Sequence, residues 1–389
     1  MSTLVGGLLA FLVPFALSLA LTCLARRLAP RLGFVDRPGG RKAHSRPVPL
    51  GGGVAMFVAW AVPVGAVLAV ACALPPPPSA APPPGPSPPV LEAPRPAAPA
   101  PEPPAPGLRD HLADLADRAW PLSLVLLGSA LVMALGLADD VRELSPACRL
   151  LVQAGVAAGL YAASRELRIT LFARWAWPSF VYTVVWVVGI TNAFNFLDNT
   201  DGLSAGVAVV ASLILAVVGV QTGQVVMTAL ALGLAGAAAG FLVHNFPPAR
   251  VYMGDAGGLF LGFALSLLTV LFTFYKSGPV PSGRLYGVLM PLFILALPIF
   301  DTITVVAIRI REGRPVWEGD RRHFSHRLMA LGMSTRETVL FIYLTAFCLG
   351  LASTLLSSLD EAGAVVIFVI GVAIFILIGL LERAGRRRH

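Results

Sequence analysis

Charge is scarce in this chain. Asp, Glu, Lys and Arg make up 13% of its 389 residues, and apolar residues make up 56%. A soluble domain carries about twice that share of charge, so the balance excludes that class. Cysteine is scarce too. Cys23, Cys72, Cys148 and Cys348 are scattered, mostly inside apolar runs. No Cys-x-x-Cys pair exists, which argues against both a thiolate metal site and a disulfide framework. The first apolar run, Leu4 to Cys23, lacks a basic residue before it and a small-residue cleavage site after it. A removed signal peptide is therefore not expected. Arg26 and Arg27 follow that run instead, which predicts a first helix with its N-terminus outside.

What the chain does have is a succession of apolar runs near the ~20 residues that cross the hydrocarbon of a bilayer. They predict an all-α, polytopic integral membrane protein with about eleven spans. The spans fall at 3–23, 52–74, 120–137, 149–164, 175–191, 203–220, 224–243, 257–275, 285–308, 337–357 and 362–381. If they alternate, the connections 24–51, 138–149, 191–202, 244–256, 309–336 and the C-terminal tail hold 21 of the 29 Lys and Arg residues. The positive-inside rule puts this set and the C-terminus in the cytoplasm, with 309–336 as the large cytoplasmic loop. The net charge of +8 is thus a topology signal, and no nucleic-acid partner is expected. Residues 75–108, beginning "PPPPSAAPPPGPSPP", predict an extended, disordered insert on the opposite side. A short amphipathic helix is expected after it, at 109–118.

Acids and amides collect in the cytoplasmic set. "GLADDVRELS" carries Asp139 and Asp140 at a span end, where two acids oppose the helix dipole. "NAFNFLDNTDGL" carries Asn192, Asn195, Asp198, Asn199 and Asp201. Asn192, Asn195 and Asp198 are three apart, so on a helix they share a face. "HNFPPARVYMGDAGG" carries Asp255, an ordinary N-cap or a cation ligand beside glycines that admit a phosphate. "GDRRHFSHRL" carries His323 and His326, and "DRPGGRKAHSRPVPLGGG" carries Lys42 and His44. Taken singly, each has a bland account as solvated charge. Together they suit phosphoryl transfer, in which carboxylates hold Mg²⁺ against substrate phosphates and Lys, Arg and His neutralise oxyanions.

In this order the motifs resemble the polyprenyl-phosphate N-acetylhexosamine-1-phosphate transferases. These comprise undecaprenyl-phosphate GlcNAc-1-phosphate transferase, phospho-MurNAc-pentapeptide transferase and their relatives. The resemblance covers nearly all of 1–389 except the 75–108 insert. It implies a single transmembrane transferase domain in the inner (plasma) membrane, lying in the lipid bilayer with its active site on the cytoplasmic face. It implies transfer of a sugar-1-phosphate from UDP-N-acetylhexosamine to undecaprenyl phosphate with release of UMP. The cofactor would be Mg²⁺, which Mn²⁺ could replace, and a homodimer is compatible. By resemblance, Asp255 is a metal ligand with Asp139 beside it. Asp139, Asp140 and Asp198 are catalytic. Lys42, His44, Asn192, Asn195, Asp201, His323 and His326 bind substrate or support that pocket. Where the family often has Asp-Gly this chain has Asp198–Asn199. Where the GlcNAc branch has His-x-His-His its third position is Ser325. The basic "RKAH" loop leans toward GlcNAc as donor sugar. A phospho-MurNAc-pentapeptide transferase is the alternative within the family, and a cation-coupled transporter is the alternative outside it.

Overall fold

Apolar sequence becomes helix because lipid offers no partner for a bare amide or carbonyl, so each span must close its hydrogen bonds internally. The computed structural model describes residues 3–36, 47–75, 107–170, 175–274, 284–317 and 322–386. The chain begins with α1 (Thr3–Leu28), a ribbon of β1 (Val35–Asp36) and β2 (Val48–Pro49), α2 (Gly52–Ala73), α3 (Leu108–Asp117) and α4 (Ala119–Arg142). Then come α5 (Pro146–Ala163), α6 (Ala176–Leu197), α7 (Leu203–Gln221), α8 (Val225–Asn245) and α9 (Gly254–Phe274). The last five are α10 (Arg284–Ile294), α11 (Ala296–Arg311), α12 (Phe324–Ala330), α13 (Thr335–Leu355) and α14 (Glu361–Arg386).

Nine of the described helices are long and apolar enough to cross a membrane. Counting α10 and α11 as one span, bent by 76° at their break, makes ten. The expected span at 149–164 is α5, which falls outside that count by composition, its 18 residues including Arg149 and Gln153, but runs back along α4, with Arg149 paired to Asp139 at one end and Ala163 O accepting from Trp120 at 3.0 Å at the other. The outer helix expected at 109–118 forms as α3. Residues 76–106, most of the expected insert, lie outside the described residues.

α9 is the axis of the bundle. Its spanning stretch is wholly buried, packed against α2, α4, α6 and α7. Lipid is as apolar as leucine, so helices associate here through close packing rather than escape from water. Glycines provide the approach. A Cβ on Gly53 of α2 would lie 2.2 Å from the Gly257 amide nitrogen of α9. On α8, Gly236 and Gly240 admit α1. A Cβ on either would lie 2.2 or 2.3 Å from the carbonyl oxygens of Phe11 and Phe15.

One end of the bundle is tied by its backbone. The Gly52 and Gly53 amides donate to the carbonyls of Tyr252 and Met253, at 3.1 and 3.0 Å. The Tyr252 amide donates to Pro49 of β2 at 2.9 Å. These bonds fix the segment before α9 between α2 and the ribbon. The C-terminal ends of α4 and α6 arrive at the same place.

Candidate active site

Two acids at a helix C-terminus face the negative end of the dipole and need partners. Asp139, 5% exposed, accepts from the Leu144 amide at 2.6 Å and forms a close ion pair with Arg149 of α5. Asp140 turns to α9. Its Oδ1 accepts from the Asp255 amide at 2.7 Å and its Oδ2 from the Ala256 amide at 3.2 Å. A carboxylate from α4 therefore satisfies amides that the first turn of α9 leaves open. Gly254, with φ of +69°, makes room for it, since a Cβ there would lie 2.4 Å from Asp140 Oδ2. The Asp255 side chain stays 34% exposed, its Oδ2 3.5 Å from Arg149 Nη1. Arg149 thus bridges Asp139 and Asp255.

The turn between α6 and α7 brings the fourth acid. Asp198 follows the last residue of α6 and is half-buried. Loss of water pushes its carboxyl up from 3.8 to about 8, and repulsion from Asp255, Asp140 and Asp201 adds to the rise. Asp201 Oδ2 accepts from the Ala249 amide at 2.8 Å. Asn245 accepts from the Gly202 amide and donates to Val251 O, both at 2.9 Å. These two side chains rivet the turn to the segment before α9. Asn195 lies against α9, where a Cβ on Gly258 would sit 3.0 Å from its Oδ1. Asn192 turns the other way and donates to Gln153 of α5 at 2.5 Å and to Val188 O at 2.8 Å.

The histidine motif sits beside this turn. His323 precedes α12 and is 4% exposed, with Nδ1 2.7 Å from Asp301 Oδ2. Its ring packs edge-on to Phe196 of α6, centroids 6.3 Å apart. The buried Arg309 guanidinium lies 5.6 Å from the same Phe196 ring. Ser325 donates to Asn199 Oδ1 at 2.5 Å, and Thr200 donates to Ser325 Oγ at 3.0 Å. The two positions that depart from the family pattern are thus bonded to each other, latching α12 to the acid-bearing turn. His326, one residue on, is half-buried.

Of the residues named from sequence, the fold gathers Asp139, Asp140, Asp198 and Asp255 in one cluster, with Asn195 and Asp201 beside it. His323 flanks the cluster through Phe196. Asn192 is directed to α5. Lys42 and His44 lie outside the described residues. Three further residues were missed: Arg149, Asp301 and Arg309. A carboxylate inside the apolar run 285–308 was a readable signal for Asp301, because such groups are expensive in a membrane. Arg149 and Arg309 stood at span ends and looked like topology charges.

Among the described residues, no three His, Cys, Asp or Glu side chains form a group able to hold a metal by themselves. The donors present are nonetheless hard carboxylate oxygens. Asp139 and Asp140 each have both oxygens engaged, which leaves Asp255 and Asp198 with oxygens to offer. That inventory fits Mg²⁺, which binds through one or two carboxylates and completes its shell with water and substrate phosphates.

Comparison with known proteins covers this region. The sequence model of glycosyl transferase family 4 matches residues 122–273, which hold all four clustered acids. A Bacillus subtilis protein named as a probable undecaprenyl-phosphate N-acetylglucosaminyl 1-phosphate transferase is 32% identical over 357 residues, 90% of this chain and 84% of that one. The decaprenyl-phosphate N-acetylglucosaminephosphotransferase of Mycobacterium tuberculosis (strain CDC 1551 / Oshkosh) is 30% identical over 389 residues, 92% of this chain and 85% of its own length. The undecaprenyl-phosphate alpha-N-acetylglucosaminyl 1-phosphate transferase of Yersinia pestis is 25% identical, covering 96% of this chain and 90% of that protein. With this identity sustained along almost the whole chain, the protein belongs to glycosyl transferase family 4, among the polyprenyl-phosphate N-acetylglucosamine-1-phosphate transferases.

Proposed function

We propose that this protein transfers GlcNAc-1-phosphate from UDP-GlcNAc to undecaprenyl phosphate at the cytoplasmic face of the plasma (inner) membrane, releasing UMP. The observation that carries the reading is the meeting of Asp140, Asp198 and Asp255 from three helix ends at one end of the bundle, with Arg149 between the acids. Asp255 would hold Mg²⁺, or Mn²⁺ in its place. When bound, that ion offsets charge on the donor diphosphate. Asp140 fixes the first turn of α9 and so the position of Asp255. Arg149 supplies positive charge beside the acids. Asp198, whose carboxyl titrates at about 8, takes the proton of the acceptor phosphate in its ionised form. The acceptor oxygen then forms a bond to the β-phosphorus of the donor, and the bond from that phosphorus to the bridging oxygen breaks with its electron pair on UMP. Asn195, Asp201, His323 and His326 line or brace the donor pocket, with Lys42 and His44 near a phosphate. An apolar cavity of about 500 Å³ between α6, α9, α10 and α11, lined by Tyr182, Trp186, Ile190, Val270, Leu292 and Ile303, suits the first units of an isoprenoid chain.

The test is UMP release by purified protein given undecaprenyl phosphate, Mg²⁺ and a panel of UDP-sugars, with mass spectrometry of the lipid. UDP-GlcNAc should give a polyprenyl-diphosphate GlcNAc. Silence with every UDP-N-acetylhexosamine would overturn the reading.

The position of Asp198 also sets a pH dependence. Its folded-state carboxyl titrates above the unfolded value, so the folded protein keeps a proton that the unfolded chain releases. That stability is complete below about pH 4 and is lost as pH rises toward about 8. In EDTA the Tm should therefore fall from pH 5 to pH 8.5, and Mg²⁺ should raise Tm more at the upper end. Asp198→Asn should flatten the slope. Parallel curves for the two proteins in thermal-shift measurements would contradict the assignment.

A further inference from the structure

Asp301 lies on α11, half of the bent span, and is 1% exposed. A buried carboxylate in an apolar helix is expensive unless something requires it. Both of its oxygens serve one segment. Oδ2 lies 2.7 Å from His323 Nδ1, and Oδ1 accepts from the Phe324 amide at 2.6 Å. An ionised carboxylate only accepts, so Nδ1 must carry the hydrogen. The chemistry of the ring is thereby left to Nε2. The imidazole edge rests against Phe196, two residues before Asp198, which puts the ring next to the acid-bearing turn.

We propose that Asp301 is the positioning residue of the histidine motif: it fixes the His323 ring through Nδ1–H, so that Nε2 is the nitrogen turned to the donor diphosphate. This rests on the transferase reading above. Ser325 on Asn199 and Arg327 on Glu382 locate α12 but do not touch the ring, so the orientation of His323 depends on Asp301. With Nδ1–H held by the carboxylate, Nε2 is the ring position left for a phosphate, which accepts from it whenever that nitrogen carries a hydrogen.

Nitrogen-15 NMR of the full-length, histidine-labelled protein in detergent tests this, with the His323 signal assigned by its loss in His323→Ala. The wild-type ring should be Nδ1-protonated. Asp301→Asn keeps the size of the side chain but offers an amide hydrogen to Nδ1, so the tautomer should switch to Nε2–H. The kcat should drop about 10²- to 10⁴-fold, with KM for undecaprenyl phosphate within about twofold. In a His323→Ala background the same substitution should cost less than about threefold. A wild-type ring with no hydrogen on Nδ1, or an equal loss in the His323→Ala background, would overturn the proposal. If Asp301→Asn fails to fold, the wild-type tautomer decides alone. Absence of UMP release by the wild type would sink the transferase reading and leave the tautomer measurement standing.

Discussion

Asp255→Asn should reduce UMP release by about 10³-fold or more while the protein still folds and inserts. The substitution keeps the side-chain volume and leaves the backbone amide that donates to Asp140 at 2.7 Å untouched, so the first turn of α9 stays in place. Arg149 keeps its pair with Asp139. What disappears is one negative oxygen in a cluster where Asp139 and Asp140 already repel it. The metal-free fold should therefore be no less stable than wild type. The Mg²⁺-dependent rise in Tm should vanish with the activity, because both depend on the same carboxylate. Monodisperse elution in detergent together with the loss of UMP release would establish the effect. Undiminished release by a folded Asp255→Asn protein would remove the metal assignment.

The membrane class was legible because it depends on composition alone, and apolar runs near span length leave little choice of structure. Two features of the bundle needed three dimensions. The run 149–164 was legible as a span, but not that its Arg149 would be drawn to Asp139 and Asp255 and its Gln153 to Asn192. The run 285–308 was legible as a span but not as a bent one, in which α10 and α11 meet at 76°. Pro291 and Pro298 flank that break, and each removes an amide donor from the helix ladder. The two prolines were a visible signal that counting hydrophobic residues did not use.

The acid cluster was legible because carboxylates are rare here and costly away from water, so their recurrence at one set of span ends called for a common cause. The division of labour among them was not. Asp139 and Asp140 are neighbours, but the helical turn points one to α5 and the other to the amides of α9. Asn192 shares a helical face with Asn195 on paper, yet in the fold it bonds Gln153. Asn199 and Ser325 looked like separate departures from the family pattern. Their 2.5 Å hydrogen bond shows that they form one contact between the acid-bearing turn and α12.

Gly136→Ala should lower activity about 10²-fold and lower Tm as well, although it adds only a methyl group. Alanine favours a helix over glycine by about 0.5–1 kcal/mol, so at an open position the change would stabilise. At Gly136 the new Cβ would lie 2.5 Å from Asp255 O and 2.6 Å from Ala256 N and Cα. Those are backbone atoms of a wholly buried helix and cannot rotate aside. α4 and α9 must then part, and the bonds from Asp140 to the Asp255 and Ala256 amides lengthen with them. A misplacement of about 1 Å at a catalytic group costs on the order of 10² in rate. Gly155→Ala on α5, where a Cβ meets nothing within 4 Å, supplies the contrast and should be neutral or slightly stabilising. If Gly136→Ala instead matched Gly155→Ala in both Tm and UMP release, α4 and α9 would not touch at the acids, and the shared site would lose its geometric basis.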